Sequence, residues 1–289
     1  MSRHARDTSR VSPRVSVVVP VFNGLPHLRN LVEALLAQDY PDLEIVFSEG
    51  GSTDGSPEYL ATIDDPRVRV ITPDAPGAAR NWTAASEAAT GEFIKLVCQD
   101  DLITPDAITK QVADLSTHPD AVMAIAPRDI IDAKGNVLYA KRGCQGLSPG
   151  AHSGNDVIRE CYVRGANIIG EPLTVLFRKE ALLATMPWDD SNPLMLDVTQ
   201  YTKVAPKGTV IVRDESIGAF RVSNSSWSTR LANVQREQFA RWQRSYAADL
   251  STPPGAIERS RAWLGMEKNA LMRRAAYRVL RMKGAFESE

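Results

Sequence analysis

Two hydrophobic rhythms alternate along the first 130 residues. Val15–Pro20 ("VSVVVP") is a short β-branched run closed by proline, which predicts a strand covered on both faces. His27–Gln38 then places Leu28, Leu31 and Leu35 at helical spacing. Leu43–Ser48 ("LEIVFS") predicts a second strand, which empties into "EGGSTDGS", a turn rich in Gly, Ser and Asp with a helix after it. Val68–Pro73 predicts a third strand, "GAARNWTAASEAAT" an Ala-rich helix stopped by Gly91, Phe93–Cys98 a fourth strand and Ala121–Ala126 a fifth. Between the last two, "TPDAITKQVADL" predicts a helix with Thr104 as N-cap and Pro105 at the first helical position. This strand–helix alternation predicts an α/β fold with a mostly parallel sheet flanked by helices. Ligands in such sheets sit at the carboxyl ends of the strands. Both unusual stretches, "SEGGSTDGS" and "CQDD", fall there.

The rhythm changes near residue 130. "DAKGN" predicts a hairpin turn, Thr174–Arg178 and Thr209–Val222 predict further strands, and Asp197–Ala205 a helix between them. From about Asn233 the chain turns helical, with Ser251–Gly255 as a break. The last segment, Ala256–Lys283, carries Leu264, Leu271, Ala275 and Leu280 with Arg and Lys between them. The expected organisation is a disordered basic leader over residues 1–13, a first half over 14–130, a second half over 131–231 forming the other wall of a cleft, and a helical tail over 232–289.

Composition narrows the function classes. Lys+Arg 34 against Asp+Glu 35 gives a net charge of -1 in 289 residues, which gives no support for a nucleic-acid partner. Cys98, Cys144 and Cys161 are widely spaced and form no CxxC pair, so the expected compartment is the reducing cytoplasm. The four histidines show no metal-ligand spacing, and no apolar run reaches the roughly 18 residues that a membrane span needs.

The chemistry concentrates at Asp100-Asp101. Two adjacent carboxylates at a strand end repel each other and are costly to desolvate. One reading is a solvated turn. The other is a site for a divalent cation, Mg²⁺ or Mn²⁺, which makes the pair favourable and neutralises a diphosphate. "SEGGSTDGS" serves either as a tight loop or as a backbone cradle, where Glu49 is placed to accept from a nucleobase or ribose and Gly51 permits close approach. It lacks the spacings of a P-loop and of a dinucleotide fingerprint.

Together, "VSVVVPVFNG", "LEIVFSEGGSTDGS", "PGAARNWTAASEAATGEFIKLVCQDD" and "TPDAI" occur in the order and spacing that resemble the inverting glycosyltransferases of family 2, which have the GT-A fold. The resemblance covers Val15 to Leu115 well. It continues loosely through "NIIGEPLTVLFRKEAL", "LDVTQYTKV" and "IGAFRVSNSSWST". It implies that Pro20, Phe22 and Asn23 line a nucleobase pocket, that Arg80 faces the nucleotide, and that Gln99 and Asp100 lie near the ribose or sugar. It implies that Asp101 holds the metal. Two departures stand out: Glu49-Gly50 replaces a common Asp pair, and Cys98 takes the first position of an acidic motif.

The implied reaction is metal-assisted transfer of a hexosyl or deoxyhexosyl group from a nucleoside-diphosphate sugar. The acceptor is a hydroxyl of a glycan, a lipid-linked saccharide or a secondary metabolite. Inversion needs a general base on the acceptor side. Asp197 in "LMLDVTQY" matches the family position, although a first-turn Asp also simply favours the helix dipole. Asp189 and Asp190 are weaker candidates. Glu171 is assigned to acceptor hydroxyls. Arg221 reads as a phosphate contact or a strand-end arginine paired with an acid. Trp227 reads as a sugar-stacking ring or a partly buried anchor, as do Trp82 and Trp188. The basic run "RRAAYRVLRMK" fits a solvated helix face or peripheral contact with an anionic membrane. Rival readings are a non-catalytic sugar-nucleotide or glycan binder and a nucleotidyltransferase. Against the latter, the turn "VPVFNGLPH" has no basic residue before His27.

Overall fold

The structure is a computed structural model and describes residues 12–223, 234–282 and 285. The first eleven residues of the expected leader, and Trp227, lie outside the described residues.

The first strand, β1 (Val15–Val21), is buried at all seven positions, as its unbroken apolar run requires. It pairs in parallel with β2 (Leu43–Glu49) on one side and β4 (Phe93–Leu96) on the other, and β3 (Val68–Ile71) extends the parallel set beyond β2. The crossovers are α1 (His27–Leu36), the short α2 (Ser56–Leu60) and α3 (Ala78–Glu87). Leu28, Leu31 and Leu35 face inward from α1, joined by Val32. Small residues on the inner face of α3 (Ala79, Thr83, Ala85, Ser86) let it lie close to the sheet. Pro20 lies beyond the last residue that β1 pairs with β4, Val18, where its missing N–H breaks no ladder on that side.

The helix α4 (Ala107–Thr117) begins later than the sequence suggests, so Thr104 is not its N-cap. Asp106 holds that position without a side-chain cap, and the Thr104 hydroxyl donates to Asp106 Oδ1 at 2.9 Å. The Thr104 carbonyl accepts from Ala107 N–H at 3.1 Å, closing a turn ahead of the helix. Thr104 N–H turns instead to Ile217 O, at 2.9 Å.

After β6 (Ala121–Ile125) the chain makes a second, smaller sheet from β7 (Arg128–Ile131) and β8 (Val137–Arg142), joined by β5 (Leu102–Ile103) and β12 (Gly218–Arg221) in the order β5-β12-β7-β8. The remaining elements are β9 (Gly150–Ser153), α5 (Gly154–Arg164), β10 (Val175–Arg178), α6 (Lys179–Leu183), α7 (Leu196–Val204), β11 (Thr209–Val212), α8 (Gln235–Asp249) and α9 (Ala256–Met282). The main sheet has eight strands in the order β3-β2-β1-β4-β10-β6-β11-β9. β10 runs antiparallel between β4 and β6, and β9 antiparallel beside β11. The stretches before and after residue 130 therefore share one sheet. Neither β9 nor α5 was anticipated: β9 is a short polar strand, and α5 begins with Gly and sets its buried Val157, Ile158, Cys161 and Tyr162 among charged residues.

What seats β10 is a buried polar knot. Lys95, in β4, is fully buried. Its Nζ donates to Gln111 Oε1 at 2.7 Å and to Leu173 O at 2.5 Å. Gln111 Nε2, from α4, passes the link on to Ala124 O and Thr174 O. Burial pushes the Lys95 amine down to about 7. A neutral amine has two N–H groups, which match its two acceptors.

The tail is fixed by a close helix crossing. Gly165 ends α5 in the left-handed conformation (φ 62°), and a Cβ there would lie 2.1 Å from Met266 N of α9. Asn269 Nδ2 then donates to Arg164 O (2.9 Å) and Gly165 O (3.2 Å), satisfying carbonyls at the end of α5.

The lysine knot gives a pH signature. Between about pH 7 and its unfolded value near 10.4, Lys95 is protonated in the unfolded chain and neutral in the fold. Its contribution to stability is therefore present above that range and lost as pH falls through about 7. Urea unfolding of wild type and Lys95→Met at pH 7 and 9.5 should show a rise for the wild type that the variant lacks. Parallel pH slopes would contradict the assignment.

Candidate active site

Three loops at the carboxyl ends of β2, β1 and β4 meet side by side. The Gln99 side-chain amide clamps the backbone of Phe22, accepting from its N–H at 2.7 Å and donating to its C=O at 2.8 Å. The turn after β1 is stitched to the loop after β2. Asn23 N–H donates to Ser52 Oγ (2.9 Å), and Thr53 N–H donates to Asn23 Oδ1 (2.8 Å). Asn23 adopts a left-handed φ of 51°, which Asn tolerates better than most residues. Glu49 bends back on its own loop, accepting from Gly51 N–H at 3.0 Å and Ser52 N–H at 2.7 Å.

These contacts sort the residues expected near a nucleobase. Pro20 is within the buried strand, and the Asn23 side chain is engaged in the loop. Phe22 is 58% exposed and presents its ring to the cleft rim. Glu49 and Gln99 shape the cradle from behind. Arg80 is half-exposed and forms a two-pronged ion pair with Asp74 in the loop before α3.

The Gly50 departure has a local cause. A Cβ at Gly50 would sit 2.8 Å from Asn81 Nδ2 and 3.1 Å from Val21 O. Asn81 itself donates to Val21 O at 3.0 Å from α3. The space that a side chain at position 50 would need is taken by an amide.

Asp101 is 1% exposed. Oδ1 accepts a long bond from Arg221 N–H (3.3 Å), while Oδ2 is buried with no partner. Burial, then Asp100 and Glu171, push its carboxyl well above the usual range. A buried carboxylate with an orphaned oxygen beside a second carboxylate fits a divalent cation. Among the described residues, no three His, Cys, Asp or Glu side chains gather to hold one. The protein would supply few ligands, as Mg²⁺ sites completed by phosphate oxygens do.

Arg221, expected at an anion, is 2% exposed and turned into the protein. Its guanidinium donates to the carbonyls of Asp100 (3.0 Å), Asp132 (3.2 Å) and Ala133 (3.1 Å). It thereby braces the loop carrying the aspartate pair.

The opposite wall carries Asp197 in the first turn of α7. It is half-buried, accepting from Asn167 Nδ2 at 2.9 Å and Val198 N–H at 2.7 Å. Burial, aided by the nearby Glu171 carboxylate, raises it to about 7, against the opposing Val198 N–H and Arg128. Glu171 is forked by Arg128, with Nη2 2.8 Å from Oε1 and Nε 2.5 Å from Oε2. The half-buried Cys98 thiol lies where the walls meet. Beyond burial, Asp101, Asp100, Asp197 and Glu171 all hold its pKa well above the usual value. Trp188 is a core residue, with Nε1 on Ser86 Oγ (3.0 Å) and its ring edge-on to Trp82 at 5.0 Å. Asp189 caps its own loop at Ser191 N–H.

Sequence reasoning missed Arg128, Asn167 and Arg273. Arg128 was within reach, because it follows a buried strand as the aspartate pair does. Arg273 was not, because only the packing of α9 brings it within electrostatic reach of Glu171 and Arg128. It lines a cavity of about 40 Å³ with Phe239, Met266, Asn269 and Tyr277.

Residues 16–166, just over half of the chain, match the family model described as glycosyl transferase family 2. The succinoglycan biosynthesis protein ExoO of Rhizobium meliloti is 33% identical over 129 residues, 44% of this chain and 36% of ExoO. The chain thus spans about a third of that relative's length. Among solved structures, Staphylococcus aureus TarS 1–349 in complex with UDP-GlcNAc superposes with a TM-score of 0.67 at 15% identity, covering 88% of this chain and 72% of that one. The mannosyltransferase PcManGT of Pyrobaculum calidifontis, in complex with GDP-Man and Mn²⁺, gives 0.64 at 20% identity, covering 92% and 76%. The shared architecture is the GT-A fold.

The orphaned oxygen of Asp101 has a measurable cost. In chelator, Asp101→Asn should melt at or above the wild-type temperature, with a margin wider at pH 6 than at pH 4, because the unfolded carboxyl ionises above its ordinary value while the buried one resists. A variant that melts lower at both pH values would show that the carboxylate stabilises the fold rather than awaiting a ligand.

Proposed function

The chain belongs to glycosyl transferase family 2, and we propose that it transfers a sugar from a nucleoside-diphosphate sugar to an acceptor hydroxyl with inversion, using Asp197 as general base. The observation that carries this reading is a pair of carboxylates on either side of Cys98, both raised mainly by burial. Asp101 has a vacant oxygen on the donor side, and Asp197 is raised to about 7 on the acceptor side.

On this reading the exposed Phe22 ring stacks on the nucleobase, and the Glu49 loop gives the backbone room to approach the ribose. Arg80 meets the nucleotide by leaving Asp74, an exchange that an exposed pair makes at little cost. Asp100 lies near the ribose or sugar. Asp101 would hold Mg²⁺ or Mn²⁺, and that ion would neutralise the departing diphosphate. Asp197 takes the acceptor proton as the acceptor oxygen bonds to the anomeric carbon and the bond to the diphosphate breaks on the opposite face. Asn167 orients the carboxylate, and a base near 7 suits neutral pH. Glu171, held by Arg128, accepts from acceptor hydroxyls with its spare lone pairs. The acceptor class is a glycan, a lipid-linked saccharide or a small molecule.

The donor half is tested by thermal shift with UDP, GDP, dTDP and CDP, each with and without Mn²⁺ or Mg²⁺. A metal-dependent stabilisation by one nucleotide, lost in Asp101→Ala, is expected and would name the base. Stabilisation undiminished in the variant would remove Asp101 from the site.

Asp197→Asn should lower kcat by about 10² to 10⁴ while nucleotide binding persists. Wild-type kcat should fall about tenfold per pH unit below about 7, as the base takes up its proton. Arg128→Met should move that limb to higher pH, because Glu171 then acts on Asp197 without its counter-ion. An unmoved limb would assign it to another group.

A further inference from the structure

The tail helix α9 is anchored by one face and presents another that nothing among the described residues covers. Ala262, Met266 and Leu280 pack inward. On the outer side Ile257 (79% exposed), Leu264 (59%), Leu271 (69%) and Met282 (79%) lie along one edge, with Trp263 and Met272 exposed on either side of it. Ile257, Leu264 and Leu271 are seven residues apart, and Met282 follows eleven after Leu271, so they stack along one edge of an α-helix. Over 27 residues the edge is about 40 Å long. Elsewhere among the described residues large apolar side chains are exposed singly, apart from the pair Val137 and Tyr139 on β8.

Charge selects the occupant. The helix carries seven Lys or Arg against two Glu in a chain whose net charge is -1. Both glutamates are engaged, Glu258 by Arg159 and Glu267 by Arg236. Exposed Arg261 and Lys268 lie between the apolar residues of that edge, Arg278 and Arg281 lie beside it, and none forms an ion pair among the described residues. A second copy docked on this face would bring basic residues against basic residues. A bilayer with anionic headgroups accepts both the apolar edge and its basic residues. No helix among the described residues is long and apolar enough to cross a membrane, so the contact is one of lying on the surface.

We propose that the outer face of α9 docks the protein on the surface of an anionic lipid bilayer, with Leu264 and Leu271 entering the acyl boundary. The crossing at Gly165 and Met266 holds the helix to the body, so the face is displayed without unfolding anything.

The test is co-sedimentation of the full chain with vesicles of phosphatidylcholine alone or mixed 7:3 with phosphatidylglycerol. Binding to the anionic vesicles is expected to exceed binding to the neutral ones by about tenfold or more and to weaken with salt. Leu264→Glu/Leu271→Glu should abolish it at an unchanged melting temperature, since both side chains are exposed. Lys268→Glu/Arg278→Glu should remove the preference for anionic lipid. No binding to either vesicle, or binding undiminished by the leucine changes, would overturn the proposal. So would a stable dimer in light scattering that Leu264→Glu dissolves, which would give the face to a second copy.

Discussion

A single buried amine sets the relation between the two walls of the cleft. β10 is the strand that does not belong to the strand–helix alternation, yet it fills the middle of the sheet. Lys95 and Gln111 hold its entry by binding the carbonyls of Leu173 and Thr174. From there the constraint travels a short way. Thr174 binds Glu171 O through both its N–H and its hydroxyl, which fixes the turn presenting the Glu171 side chain to Arg128. Glu171 in turn helps to raise Asp197. A lysine that looks like an intruder in "FIKLV" is thus connected, in four steps, to the acceptor-side carboxylate.

The cleft is an unbalanced electrostatic arrangement. Four carboxylates act on one thiol, and the two nearest guanidiniums are committed, Arg221 to backbone carbonyls and Arg128 to Glu171. The resting protein bears this as raised pKa values at Asp101 and Asp197. Protonation relieves the imbalance in the free chain. On the proposed reading a cation would relieve it at Asp101 alone and leave Asp197 near neutrality. On that reading the same crowding would give the two acids separate tasks.

The parallel core was legible because buried strands and amphipathic helices have rhythms that survive in sequence. β1, β2 and α1 emerged within a residue or two of their expected bounds. The aspartate pair was legible as two charges at a strand end, where no packing argument explains them. The roles of Arg221, Gln99 and Glu49 were not, because a polar side chain spent on distant backbone leaves no local pattern. Thr104 misled because its hydroxyl is spent on Asp106 and its N–H on Ile217, a partner far along the chain. β9 and α5 escaped because a polar edge strand and a helix that begins with Gly carry weak signals.

The contact between Gly50 and Asn81 also bears on how such a sequence can change. An acidic residue at position 50 cannot arrive first, since its Cβ would press on the Asn81 amide and Val21 O. Shortening Asn81 first costs less, because Val21 O keeps the Gly50 N–H at 2.8 Å as a partner. The two positions, 31 apart in the chain, thus form one heritable unit with a preferred order of substitution. Whatever side chain stands at position 50 is therefore set together with the one at position 81.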